Sequence, residues 1–92
     1  MTGISQDVTI VNVRGLHARA SAKFVNAVAE LPEAMDVRVH KDGAEALGGS
    51  ILGLMMLGAA KGSTITISVC GEGQDAALLQ LVTLVQDGFG EE

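Results

Sequence analysis

At three places along the chain apolar side chains alternate with polar ones. Met35, Val37 and Val39 alternate with Asp36, Arg38 and His40, while Ile65, Ile67 and Val69 sit between Thr64, Thr66, Ser68 and Cys70. Val8 and Ile10 form a less regular version near the start. A period of two sends successive side chains to opposite sides of a pleated strand, so each stretch predicts a strand with one buried and one wet face. Strands of that kind belong to an antiparallel sheet covered on a single side. Asp42-Gly43 is a turn signal, and it predicts a short further strand near Ala44–Leu47.

Between these stretches the period lengthens to that of a helix. From Ala18 to Leu31 an alanine-rich run places Phe24, Val25, Val28 and Leu31 on one stripe. Pro32 ends it, because the residue before a proline is pushed out of the α region. From about Asp75 to Gln86 the inward stripe is Leu78, Leu81, Val82 and Val85, with Gly88 just past the end. Residues Ile51 to Ala60 are apolar or glycine throughout. A bilayer-spanning helix needs about 20 such residues, so this run predicts a short helix opening at Ser50, a good N-cap, and closing at Gly58. The resulting order is βαββαβα, an α+β fold with a four-stranded antiparallel sheet and three helices on one face.

Composition narrows the class. The chain has 92 residues, 48% of them hydrophobic and 18% charged, which supports one domain over residues 1–92 and argues against a disordered tail. With 6 Lys+Arg against 11 Asp+Glu the net charge is -5, which opposes large contacts with nucleic acid or an anionic membrane. Cys70 stands alone, so no internal disulfide forms, and the spacing that a zinc site requires is missing. No metal or cofactor is expected. The first residues lack the basic and apolar regions of a secretory signal, and the expected location is the cytoplasm.

The richest chemistry lies at Gly15-Leu16-His17-Ala18-Arg19, where the first strand has ended and the first helix begins. A helix start offers unpaired amides and the positive end of the macrodipole, an arrangement that receives anions. His17 there is a candidate nucleophile for a phosphoryl group, and Arg19 can add a charge-assisted fork to its oxygens. Gly15 permits a tight turn and close approach of a partner. On the residues alone, a solvated loop histidine is the simpler reading. His40, on the polar face of a strand with no cysteine or acid cluster beside it, reads as exposed and inert. Lys61-Gly62-Ser63 imitates the end of a phosphate-binding loop, but the glycines ahead of it have the wrong spacing. Gly49 and Gly53 form a GxxxG outside any membrane-length segment, and they signal close packing at most.

The helix after Ser50 is apolar on every side. Helical spacing turns Leu54 and Leu57 inward and leaves Leu52, Met55 and Met56 outward as an exposed patch. Such a patch marks a partner site, and methionines suit one that fits several partners; a loop or a second copy covering it is the competing reading. A phosphate on Ser50 would gain the helix amides and dipole while adding roughly two negative charges beside the patch. A plain helix cap is the simpler role.

Gly15-Leu16-His17-Ala18-Arg19 followed by Ala22-Lys23-Phe24-Val25, and then Ser50-Ile51-Leu52-Gly53-Leu54-Met55-Met56-Leu57-Gly58, resemble the HPr family, histidine-containing phosphocarriers of the bacterial phosphotransferase system. The similarity spans nearly the whole chain, and it implies the open-faced β-sandwich of that family. It implies that enzyme I phosphorylates His17 on Nδ1 at the expense of phosphoenolpyruvate and that His17 passes the group to a IIA protein or domain. Arg19 then steadies the phosphate, and Ser50 is the serine modified by HPr kinase/phosphorylase. The resemblance further implies that the helix bearing Leu52, Met55 and Met56 is the docking surface of a carrier with no turnover of its own, and a monomer is expected. One departure stands out: family members often have Pro-Ala after the arginine, whereas this chain has Ala20-Ser21. Alanine gives up some rigidity in the first turn without altering the imidazole or guanidinium. The residues do not choose between sugar uptake and a regulatory, nitrogen-related branch. A ligand-sensing βαββαβ module, its glycine-rich segment holding a metabolite, is the alternative.

Overall fold

The computed structural model describes residues 2–91. It contains β1 (Ile4–Thr9), α1 (Ala18–Ala29), β2 (Asp36–Lys41), β3 (Ala44–Leu47), α2 (Ile51–Met56), β4 (Thr64–Cys70) and α3 (Gln74–Gln86), in the expected βαββαβα order. A short 3-10 turn over Gly88–Gly90 follows, with no counterpart in the periodicity. The sheet runs β1-β4-β2-β3 with every neighbour antiparallel.

Register explains which face is covered. Val8 lies opposite Ile65, Val39 opposite Ile67 and Val37 opposite Val69, and all six are buried beneath the helices. Asp7, Thr66 and His40 line up on the open face, where the Thr66 hydroxyl donates to Asp7 Oδ1 at 2.6 Å. Arg38, also on that face, bridges Asp36 and Glu45. On the covered side α3 lies over β1 and β4, and α1 packs against α2 and α3. Phe24, Leu54, Leu81, Val85 and Phe89 complete one continuous core. Each such side chain contributes about 1.5–3 kcal/mol by leaving water.

Several boundaries move for identifiable reasons. β2 begins one residue later than the alternation suggests, with Met35 half-buried ahead of it, and it extends to Lys41, which pairs with Ala44 across the turn. β1 ends at Thr9, yet Ile10 stays buried because its amide donates to Ser63 O and its carbonyl accepts from Gly62 N, both at 2.8 Å. α1 ends at Ala29, and the chain tightens ahead of Pro32 through Leu31 N donating to Val28 O at 3.0 Å. Its buried residues are Ala20, Ser21 and Phe24, while Val25, Val28 and Leu31 are only partly covered. Small side chains face inward where α1 meets its neighbours, and the Ser21 hydroxyl is satisfied by donating to Leu16 O at 3.2 Å. No helix among the described residues is long and apolar enough to cross a membrane.

Candidate functional site

The segment after β1 is shaped by Gly15. Its φ of 62° is left-handed, and a Cβ there would lie 2.3 Å from Ala59 O, so glycine alone fits this approach. The Gly15 amide donates to Asn12 O at 3.1 Å, and Leu16 N donates to Ala59 O at 3.0 Å. With Leu16 buried, the loop is tied to the chain leaving α2. His17 follows as the N-cap of α1, in extended backbone, and its side chain makes no capping bond. Ser21 N donates the first helical bond to His17 O at 2.9 Å, which leaves the amides of Ala18, Arg19 and Ala20 without intrahelical carbonyls.

The imidazole instead meets a residue 74 positions away: His17 Nε2 lies 2.6 Å from Glu91 Oε2. Their side chains are only 15% and 17% exposed. Glu91 is delivered by the turn after α3, where Phe89 adopts a left-handed φ of 58° and buries its ring in the core. Lys23 Nζ anchors that turn by donating to Phe89 O at 2.7 Å. Asn12 Nδ2 donates both to Glu91 Oε1 at 3.1 Å and to Gly15 O at 2.8 Å. Both neighbours are acceptors, which decides the orientation of this amide, and its buried Oδ1 has no hydrogen-bond partner among the described residues. Partial desolvation pushes the Glu91 carboxyl up, but the hydrogen bonds from Asn12 and His17 and the charges of His17 and Lys23 outweigh it and hold the group below its ordinary range.

Arg19 lines a cleft shared with Val13, Arg14, Lys23, Gly90 and Glu91. It is exposed and makes no hydrogen bond or ion pair among the described residues. Half of the chain's 6 Lys+Arg therefore gather at this end of a molecule whose net charge is -5. Ser50 is the N-cap of α2, and its Oγ accepts from Gly53 N at 2.9 Å. Leu54 and Leu57 point inward, whereas Leu52 is 68% and Met56 77% exposed, and Met55, Ile51 and Leu47 are exposed too. His40 lies apart from the cleft, on the open sheet face, with Nδ1 3.4 Å from Glu45 Oε1. Sequence reasoning assigned no role to Asn12, Lys23 or Glu91, which belong to no periodic stripe; the cues were Lys23 within the family-like run after Arg19 and Phe89, a large apolar residue stranded beyond a helix end.

The family model described as PTS HPr component phosphorylation site matches residues 4–87. The chain belongs to the HPr family. A phosphocarrier protein HPr from Pseudomonas aeruginosa is 42% identical over 86 residues, covering 92% of this chain and 93% of that protein. A phosphocarrier protein NPr from Shewanella violacea is 37% identical over 91 residues, covering 99% and 98%. A crystal structure of HPr-C-His from Thermoanaerobacter tengcongensis superposes with a TM-score of 0.86 at 34% identity, covering all of this chain and 99% of that one. The HPr fold thus accounts for the open-faced sandwich, and the HPr-family match includes both His17 and Ser50 within its span.

Proposed function

We propose that the chain is a phosphoryl carrier in which His17 takes the group from phosphorylated enzyme I, charged by phosphoenolpyruvate, and hands it to a IIA protein or domain. The ring's Nδ1 lone pair forms a bond to phosphorus as the bond to the donor breaks, and the donor keeps that electron pair. The second transfer runs the same way, with His17 as donor. The carrier turns over nothing alone and needs no metal or cofactor. It works as a monomer in the cytoplasm.

The observation that carries this reading is that His17 opens α1 and bonds through Nε2 to Glu91, which lines a cleft with Arg14, Arg19 and Lys23 in an otherwise acidic chain. Free amides and fixed cations stabilise the charge spread over a transferring phosphoryl group. Arg19, with no hydrogen bond or ion pair among the described residues, is available to fork onto the phosphate oxygens. Leu52, Met55 and Met56 form the surface that both partners share, and the chain leaving α2 touches the His17 loop through Ala59. Phosphorylation of Ser50 by HPr kinase/phosphorylase adds anionic charge to that surface and slows transfer from enzyme I. Family membership favours this reading over a metabolite-sensing module.

Incubation with enzyme I and labelled phosphoenolpyruvate should place an acid-labile, base-stable label on His17. Undiminished labelling of a His17→Ala protein would overturn the assignment.

A further inference from the structure

We infer that Glu91, held in place by Asn12, sets the tautomer of His17 and so decides which ring nitrogen receives the phosphoryl group. The inference rests on the carrier reading and adds two positioning residues to it. An ionised carboxylate only accepts hydrogen bonds, and Glu91 is kept ionised by its neighbours. The 2.6 Å approach of Oε2 to Nε2 therefore requires the hydrogen to sit on Nε2. A neutral imidazole protonated there has its lone pair on Nδ1. The opposite tautomer would aim the Nε2 lone pair at a negative oxygen.

The same contact serves the phosphorylated state. Once Nδ1 is bonded to phosphorus while Nε2 keeps its hydrogen, the ring carries a positive charge. Glu91 already faces that charge. The carboxylate needs its own support, which Asn12 supplies: its amide is 5% exposed and donates to both Glu91 Oε1 and Gly15 O, linking the acid to the loop that carries the histidine. Merely tacking the end of the chain to the domain would not require this, because Phe89 in the core and Lys23 on the Phe89 carbonyl already hold the turn.

The test reads the ring nitrogens of His17 by 15N spectroscopy in the unphosphorylated full-length protein, alongside the rate of labelling by enzyme I. Wild type should show the hydrogen on Nε2. Glu91→Gln should keep it there, since an amide carbonyl can still accept, and should label more slowly than wild type but faster than Glu91→Lys, because it no longer sets a negative charge against the phosphorylated ring. Glu91→Lys offers Nε2 a donor, so it should invert the tautomer and slow labelling about 10–100-fold, the usual cost of losing a group that orients a histidine. Asn12→Asp, which turns the supporting donor into a second acceptor, should loosen the ring in the same direction, and thermal melts establish that each variant is folded. A Glu91→Lys ring spectrum identical to wild type overturns the proposal, and so does an inverted tautomer with an undiminished labelling rate. Absence of label on the wild-type protein would instead sink the carrier reading, while the ring spectra would still judge the tautomer assignment.

Discussion

Replacing Gly15 with alanine probes the joint on which the site is built. The left-handed backbone at this position, φ 62°, costs an alanine about 1–2 kcal/mol. The new methyl would also meet Ala59 O at 2.3 Å and Ala60 Cα at 2.8 Å. Real Cβ atoms essentially never come within 3.0 Å of a neighbour, so the two segments must part by about 0.7 Å, the shortfall from 2.3 Å. The hydrogen bond from Leu16 N to Ala59 O, now 3.0 Å, then stretches out of range. Stranding those groups costs about 1–3 kcal/mol. Alanine returns about 0.4–1 kcal/mol by stiffening the unfolded chain, and the net is a loss of about 1–5 kcal/mol. For a domain of this size that is roughly 4–40 °C in Tm. Gly43→Ala is the matched control, because Gly43 also has a left-handed φ, 84°, but has nothing within 4 Å of a Cβ. Thermal denaturation followed by circular dichroism should show Gly15→Ala melting well below Gly43→Ala. The rate of His17 labelling should fall as well, because Leu16 carries the displacement into the ring. Equal melting temperatures for the two variants would refute the argument that close backbone approach, rather than φ alone, demands glycine here.

Ser50→Ala removes the acceptor for Gly53 N and should cost about 1 kcal/mol in urea denaturation. Leu54→Ala, at a site with no exposure, should cost about 2–5 kcal/mol, whereas Met56→Lys should change stability by no more than about 0.5 kcal/mol and yet slow transfer from enzyme I. The Glu91 carboxyl is lowered on folding, so its contribution is present above its ordinary value of 4.5 and is lost as pH falls through the lower folded value. The stability advantage of wild type over Glu91→Gln should therefore be full at pH 7 and vanish in acid, as melts across that range will show. An advantage that grew on acidification would contradict the sign.

Local patterns were enough to determine the strands, the helices and their order, because each registers within a few residues: Ile65, Ile67 and Val69 alternate, Leu78, Leu81, Val82 and Val85 recur at helical spacing, and Ser50 caps the next turn. His17 and Arg19 were legible for the same reason, since both stand in one short run at a helix start. The orientation of α2 also followed from spacing, with Leu54 inside and Leu52 and Met56 outside. The face that α1 buries did not. Its larger stripe, Val25, Val28 and Leu31, yields the interior to Ala20 and Ser21, because neighbouring helices rather than residue hydrophobicity decide how closely a helix can approach. The partner of the imidazole was equally beyond reach. Glu91 meets His17 only because Phe89 sinks into a core assembled from every other element, and a contact made across that core leaves no trace in any short window of the chain.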